Sequence, residues 1–461
     1  MIKLLEWFRR TTFWVLDWCK GGNVGRHYRE VKYVQNNPRT EKSKQIRQQH
    51  LDQLLGHAVN TVPFYFDISE KEAQLERFPV VNKQVVREKF ELLRSQPYIN
   101  KHNHQVLTSG STGKPFKILH DKNKRDRNTA DTIFFAERAG FKIGAKLYYL
   151  RLWDKQYKLG KVKSFVQNMH AQSVDDLSEK NIAILLEDFE QSKSHLNLLA
   201  YTSALDSICK YLDEHYKRPL DCTTTSAIAV AEGLSPTVKE KMRKYFNVEV
   251  VSRYSNSENG ILSQQPLNSR SGYFEINTAS YHVEILDLNH DRPVKPGEVG
   301  RIVITDLFNY SMPLVRYDTG DVGMMEEDPE SGSLVFTKVD GRKMDMFTNT
   351  KGEYISSHII HHILQYKGIQ QFQFVQEDVG KYVIKLKVLE KLPIRVEDAL
   401  RNQYLEYFGE DAELKIKYVK DIPLLASGKR KLVINKVAEA SKTQTSKPEK
   451  KEDSIDFVVS P

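Results

Sequence analysis

Apolar positions along the chain change period several times, and each change marks an element. Residues 27–100 carry apolar residues at helical spacing among many Lys, Arg, Glu and Gln, with loops expected near Pro63 and Pro79. At 104 the pattern shifts to two short β-type runs, Gln105–Leu107 and Phe116–Leu119, on either side of a glycine-rich loop. "KRDRNTADTIFFAERAGF" predicts a helix and "AKLYYLRLW" a buried strand. "KNIAILLEDFEQ" and "SALDSICKYLDEHY" suggest strand and helix in alternation, "SPTVKEKMRKYFN" a helix opening at Ser235-Pro236, and "VEVVSRY" a strand. Helices alternating with short apolar strands predict an α/β architecture.

Beyond about residue 272 the text is β-rich ("YFEINT", "YHVEILDL", "GRIVITDL", "SLVFTKV") and is punctuated by Asn289-His290-Asp291 and "KPGEVG". After Gly341 a helix-like "SSHIIHHILQY", strands "FQFVQ" and "YVIKLKVL", and a helix "RVEDALRNQYLEYF" fit a small separate α+β domain. The final stretch is charged and poor in apolar residues, which predicts a disordered tail. The expected division is an amphipathic helix over residues 1–26, a large α/β domain of several subdomains over 27–339, a small mobile α+β domain over 340–438, and a tail over 439–461.

Composition adds bounds. The 461 residues suffice for two or three domains, and 40% apolar with 28% charged residues is ordinary for a globular protein. No apolar run is long enough to span a bilayer. Cys19, Cys209 and Cys222 form neither a disulfide framework nor a CxxC pair, which favours a reducing cytoplasm. A net charge of +9 is compatible with anionic ligands or surfaces, but no nucleic-acid module accompanies it, so nucleic acid is not an expected partner. The N-terminal "MIKLLEWFRRTTFWVLDWCK" lacks the cleavage site and unbroken apolar core of a signal peptide. It reads either as a helix lying in a membrane interface, giving peripheral contact through residues 1–20, or as a helix docked on the protein body.

"TSGSTGKPFK" has the composition of a phosphate-holding loop. It is not a Walker A loop: Thr108 occupies the required glycine position, Pro115 follows Lys114, and strands rather than a helix flank it. Gly110 and Gly113 still let backbone N–H groups converge on an anion, with Ser109, Ser111 and Thr112 as hydroxyl donors and Lys114 as a charge.

Four further stretches follow in order: "RYSNSENG" at 253–260, "PLVRYDTGDVG" at 313–323, "DGRKMDMF" at 340–347 and "PLLASGKRKLV" at 423–433. With the glycine loop, the set resembles the motifs of adenylate-forming enzymes, the acyl-CoA synthetase and ligase superfamily. "TTSAIAVAEGLSP" leading into "VEVVSRYSNSENG" resembles the phenylacetate–CoA ligase branch and its CapK-like members from surface-polysaccharide gene clusters. The resemblance covers roughly residues 40 to 438.

It implies roles residue by residue. Thr108 to Lys114 would clamp the β- and γ-phosphates of ATP, and Glu258 would hold Mg²⁺. Ser257 would contact the α-phosphate, and Tyr254 would stack on adenine within Tyr254-Ser255-Asn256. Ala231, Glu232 and Gly233 would line the adenine, and Asp321 would accept hydrogen bonds from the ribose hydroxyls. Lys429 would reach the carboxylate and α-phosphate from the small domain, and Arg342 would sit at the domain junction. The resemblance further implies ATP-driven activation of a carboxylic acid as an acyl-adenylate, then transfer to coenzyme A or to an amine or hydroxyl of a sugar, including a lipid-linked saccharide. The pocket for the acid is expected from residues 131–155 and 200–205, including Arg151.

The chain departs from the family pattern in three places: Ser255 follows Tyr254 where glycine is usual, Met344 replaces the hinge acid or lysine, and "TNTKGEYISSHIIHHIL" lacks the turn typical of thioester-forming members. The last departure favours the sugar acceptor. A non-catalytic nucleotide-binding protein is the alternative from another class.

Overall fold

The computed structural model describes residues 2–108, 116–153, 160–174, 177–216, 218–267, 272–342, 347–352, 354–355, 363, 366, 368–423 and 432–437. The chain divides after Asp340 into two compact units.

In the first unit, the expected single N-terminal helix is two: α1 (Ile2–Cys19) and α2 (Asn23–Asn36). The Asp17 carboxylate turns the corner by accepting from the backbone N–H groups of Val24 and Gly25 at 3.1 and 2.8 Å. Next comes α3 (Glu41–Thr61), N-capped by Thr40, whose side chain accepts from Ser43 N–H. From 62 to 100 the helical pattern is not realised. Prolines 63 and 97 start short 3₁₀ turns, and α4 (Lys83–Glu88) is a six-residue helix capped by Asn82 Oδ1. β1 (His104–Thr108) and β2 (Phe116–His120) form an antiparallel hairpin with Thr108 opposite Phe116. The Asp121 side chain caps α5 (Lys122–Arg138) by accepting from Lys124 N–H.

A doubly covered parallel sheet follows, made of β3 (Leu147–Arg151), β4 (Met169–Ser173), β5 (Leu196–Tyr201), β6 (Thr224–Val230) and β7 (Val250–Asn256). α6 (Lys161–Gln167), α7 (Glu179–Gln191), α8 (Thr202–His215) and α9 (Pro236–Phe246) connect the strands. The strand material expected in "KNIAILLEDFEQ" is in fact α7. Ile182, Leu185, Leu186 and Phe189 fall at helical spacing and bury together on the sheet, so the 3.6-residue period prevails over the apolar run. Ser235 caps α9 by accepting from Val238 N–H, with Pro236 in the first turn.

An antiparallel half then extends the sheet through β8 (Gly260–Gln264), β9 (Phe274–Ile276), β10 (Tyr281–Leu286), β11 (Gly300–Asp306), β12 (Tyr317–Glu327) and β13 (Leu334–Arg342). The 11 strands run in the order β10-β11-β12-β13-β9-β8-β7-β6-β5-β3-β4. β7 lies where parallel pairing with β6 meets antiparallel pairing with β8.

The second unit carries the short pair β14 (Phe347–Thr348) and β15 (Tyr354–Ile355), then β16 (Ile369–Asp378), β17 (Lys381–Val388), α10 (Ile394–Phe408), β18 (Glu413–Tyr418) and β19 (Val433–Asn435). Its four-stranded sheet has the order β18-β17-β16-β19. Leu400, Tyr404 and Phe408 of α10 bury against it, with the Phe408 and Tyr382 rings stacked at 3.9 Å. Most of the helix expected in "SSHIIHHILQY", together with Met344 and the tail, lies outside the described residues.

Candidate active site

The site is built on the β7–β8 hairpin at the carboxyl end of the parallel strands, the usual ligand position in an open α/β sheet. The turn Ser257–Asn259 is held by the Asn256 side chain, whose Oδ1 accepts from Asn259 N–H at 2.8 Å. Gly260 takes φ +115 and lies so close to α5 that a Cβ there would meet Asn128 Oδ1 at 2.8 Å. The hairpin therefore rests directly on α5.

This turn buries the Glu258 carboxylate, which is 3% exposed. Lys83 Nζ, at the start of α4, lies 2.8 Å from Oε1, and the Tyr317 hydroxyl donates to the same oxygen at 3.0 Å. Oε2 has no partner among the described residues. Burial, and then the Glu258 charge, pushes the Tyr317 phenol well above its ordinary range, so it stays a donor. His120 sits behind the turn and faces the Glu258 carbonyl at 2.7 Å. A carbonyl only accepts, so Nε2 carries the proton. Burial, followed by the charge of Lys124, pushes the His120 pKa down to about 3, leaving the ring neutral. The Phe116 ring, at the start of β2, stacks near Tyr317 at 6.4 Å with Lys83 Nζ 5.7 Å from its centroid. The strand leaving the glycine loop thus passes beside Glu258.

The second cluster joins two motifs distant in sequence. Tyr254 donates from its hydroxyl to Asp321 Oδ2 at 2.7 Å. Loss of solvation, and then the Asp321 charge, raises the Tyr254 phenol well above its usual range. Within "YDTGD", Thr319 Oγ1 donates to Ile302 O and accepts from Asp321 N–H. Arg301 holds Asp318 at 2.8 Å. The preceding Arg316 forms a two-pronged pair with Glu284 at 3.1 and 2.9 Å from a left-handed backbone (φ 50), so it is part of the scaffold. β6 pairs with β7 through Ala229 and Ser252, and Ala231 follows directly after the end of β6 at Val230. Ala231 has φ 74, a conformation that costs a non-glycine residue about 1–2 kcal/mol and is typical of functional turns.

The sequence-derived residues therefore separate into three groups. Tyr254, Asn256, Glu258 and Asp321 converge at one end of the sheet, with Ser255 and Ser257 exposed on the hairpin and Ala231 and Gly233 exposed just past the end of β6. Glu232 differs from expectation. Its carboxylate accepts from Ser203 N–H at 2.8 Å, so the side chain is engaged at the first turn of α8, where an acid is favoured by the helix dipole. Ser109 to Lys114, the side chains of Thr108 and Arg342, and Lys429 lie outside the described residues. For the acid pocket, Phe134 and Phe135 are buried core, while the Arg151 guanidinium lies over the Tyr149 and Trp153 rings at 5.6 and 5.5 Å. Sequence reasoning missed Lys83, His120 and Tyr317. Tyr317 stood inside a quoted motif and His120 one strand after another, whereas no local signal marked Lys83.

Residues 347–436 match the model of the CapK C-terminal domain. A phenylacetate–coenzyme A ligase of Thermus thermophilus is 23% identical over 309 residues, which is 61% of this chain and 65% of that protein's length. A 2-hydroxyisobutyryl-CoA ligase crystallised in the postadenylation state with R3-HIB-AMP superposes with TM-score 0.68 at 17% identity, covering 89% of this chain and 94% of the other. An anthranilate CoA ligase in complex with anthranoyl-AMP gives TM-score 0.50 at 14% identity over 74% of this chain and 67% of its own. The chain thus has the fold of the adenylate-forming ligases, is similar in sequence to a phenylacetate–coenzyme A ligase, and matches the CapK C-terminal domain over residues 347–436.

Proposed function

We propose that the protein is an AMP-forming ligase: a carboxylate attacks the α-phosphate of ATP, giving an acyl-adenylate and pyrophosphate, and an acceptor then takes the acyl group. The observation that carries this reading is the joining of Tyr254 and Asp321, 67 positions apart, at 2.7 Å beside the buried Glu258 hairpin. A phenol face and a fixed carboxylate suit a base and a ribose diol. Asp321, oriented by Tyr254 and by its own backbone bond to Thr319, would accept from the ribose hydroxyls without further reorganisation.

Glu258 fits a magnesium ion, because it offers a hard carboxylate oxygen, Oε2, that no described residue uses. Mg²⁺ bound there would neutralise triphosphate charge that otherwise repels the anionic acid. Lys83 and Tyr317 hold Oε1 and fix the direction of the carboxylate. Ser257, exposed at the turn, would meet the α-phosphate, and the loop Thr108–Lys114 would clamp the leaving pyrophosphate. Lys429 would supply positive charge at the reacting oxygens, with Arg342 near the ribose.

The CapK C-terminal domain supports an amine or hydroxyl of a sugar as acceptor, in surface-polysaccharide synthesis. A lipid-linked saccharide acceptor would bring the enzyme to the cytoplasmic face of a membrane. A second reading, thioester formation with coenzyme A, is favoured by the names of the similar proteins, which are CoA ligases. AMP release from ATP with a panel of acids, with and without CoA, separates the two. Turnover that requires CoA excludes the sugar reading, and turnover that requires an aminosugar or saccharide excludes the thioester.

A further inference from the structure

Helix α1 is amphipathic in the reverse sense to a helix packed on a protein body. Its inward side carries the polar residues Glu6, Arg10 and Asp17 beside Phe13 and Trp14. Arg10 Nε donates to Ile143 O at 3.1 Å, and Asp17 caps α2. The Glu6 carbonyl comes so near Gly144 (φ +91) that a Cβ there would stand 2.2 Å from it. Phe13 and Trp14 pack on Val24, Ala130 and Ile133. The inward side is therefore already engaged.

The outward side is apolar except for Thr11 and touches nothing among the described residues that would bury it. Leu4 is 68%, Phe8 60% and Trp18 76% exposed, with Val15 between them on the same side of the helix. Trp7 flanks them on one shoulder, and Leu5 and Leu16 on the other, all exposed. The patch continues onto α6, where Phe165 is 72% exposed and Val166 is exposed beside it. The Arg9 guanidinium, 5.3 Å from the Phe165 ring centroid, marks the seam. An apolar surface on two adjoining elements is not a stray exposed side chain.

Charge identifies the occupant. The acids of α1, Glu6 and Asp17, both belong to its inward side, while Lys3 and Lys20 are exposed and Arg9 borders the apolar face. An apolar stripe with tryptophans, rimmed only by cations, is the make-up of a helix that lies in a lipid interface. A second copy of the chain fits less well, since self-pairing would set like-charged rims against each other. No helix among the described residues is long and apolar enough to cross a membrane. We infer that α1 and the exposed end of α6 form a docking surface for an anionic lipid bilayer, with α1 parallel to the membrane plane and Trp7 and Trp18 at the headgroup level. This assignment stands on the surface alone and does not depend on the ligase chemistry.

The test is sedimentation of the full-length protein with vesicles of phosphatidylcholine, alone or mixed with phosphatidylglycerol. The wild type should pellet with the anionic vesicles and be released by added salt. The double variant Phe8→Asp/Val15→Asp should bind them about tenfold or more weakly with an unchanged melting temperature, because these side chains lie on the uncovered face. Lys3→Glu/Arg9→Glu should lose the preference for anionic over neutral vesicles. Wild-type protein that stays in the supernatant, or a Phe8→Asp/Val15→Asp protein that binds like wild type, overturns the inference. A solution dimer that this double variant dissociates, without any vesicle binding, would instead assign the face to a second copy.

Discussion

At the scale of single residues the site depends on how the buried Glu258 carboxylate is held inside the protein. Burying a carboxylate is unfavourable unless it is paired, and Lys83 and Tyr317 provide the pairing on one oxygen. Lys83→Met should therefore destabilise the fold by about 1–3 kcal/mol, below the range for a fully buried pair because the lysine is 36% exposed. Thermal or urea unfolding measures this, and the same variant should show a raised requirement for Mg²⁺ in ATP turnover. Tyr254→Phe removes only the hydroxyl that orients Asp321, so a loss of about 1 kcal/mol in ATP affinity is expected, seen by calorimetry as a several-fold rise in Kd. Tyr254, Glu258 and Asp321 were legible in the sequence because each sits in a short motif whose residues stay neighbours in the fold. Lys83 was not. It reaches Glu258 because Val81 bridges to Tyr317 on β12, a pairing across more than two hundred residues that local pattern does not encode.

At the scale of elements, α5 is the platform on which the hairpin rests, and buried charges fasten it. Lys124 pairs with Asp306 at 2.6 Å and donates to the Tyr281 hydroxyl, which in turn donates to Asn259 O at 2.6 Å in the Glu258 turn. Tyr281→Phe breaks this chain and leaves buried polar groups unpaired, so it should cost about 1–3 kcal/mol in chemical unfolding. His27 on α2 and His120 at the end of β2 also set a pH dependence. Burial, then the Arg127 charge, pushes His27 down to about 4, and His120 lies at about 3. In the unfolded chain both take up a proton near 6.5. The unfolded state thus binds more protons below that pH, so their contribution is complete above about 6.5 and is lost as pH falls towards 4 and 3. Melting temperatures between about pH 5 and 7.5 should fall with acidification, and His27→Gln should flatten the slope. Most elements were legible from period alone. The exceptions have physical causes: α7 carries four apolar residues on one side that mimic a strand, and between 62 and 100 prolines break a helical composition into turns.

At the scale of the whole molecule, the first unit brings together the motifs on which the proposed nucleotide site rests, spread over β6, β7, β8 and β12, and the match to the CapK C-terminal domain falls in the second. The second unit begins at Gly341, where the sequence pattern also changes, with a core of its own built on its sheet and α10. Tertiary geometry was needed to show that α1 turns its apolar side outward, since an aromatic-rich amphipathic sequence by itself fits a docked helix better than a membrane interface. The central claim, formation of an acyl-adenylate, is tested most directly by acid-dependent exchange of labelled pyrophosphate into ATP, which needs no knowledge of the acceptor. The wild type should exchange with at least one acid from a panel. Glu258→Gln and Lys429→Ala, folded as judged by melting, should each lose about a hundredfold or more. Exchange at the wild-type rate in either variant, or none by the wild type with any acid while ATP is bound, would contradict the account.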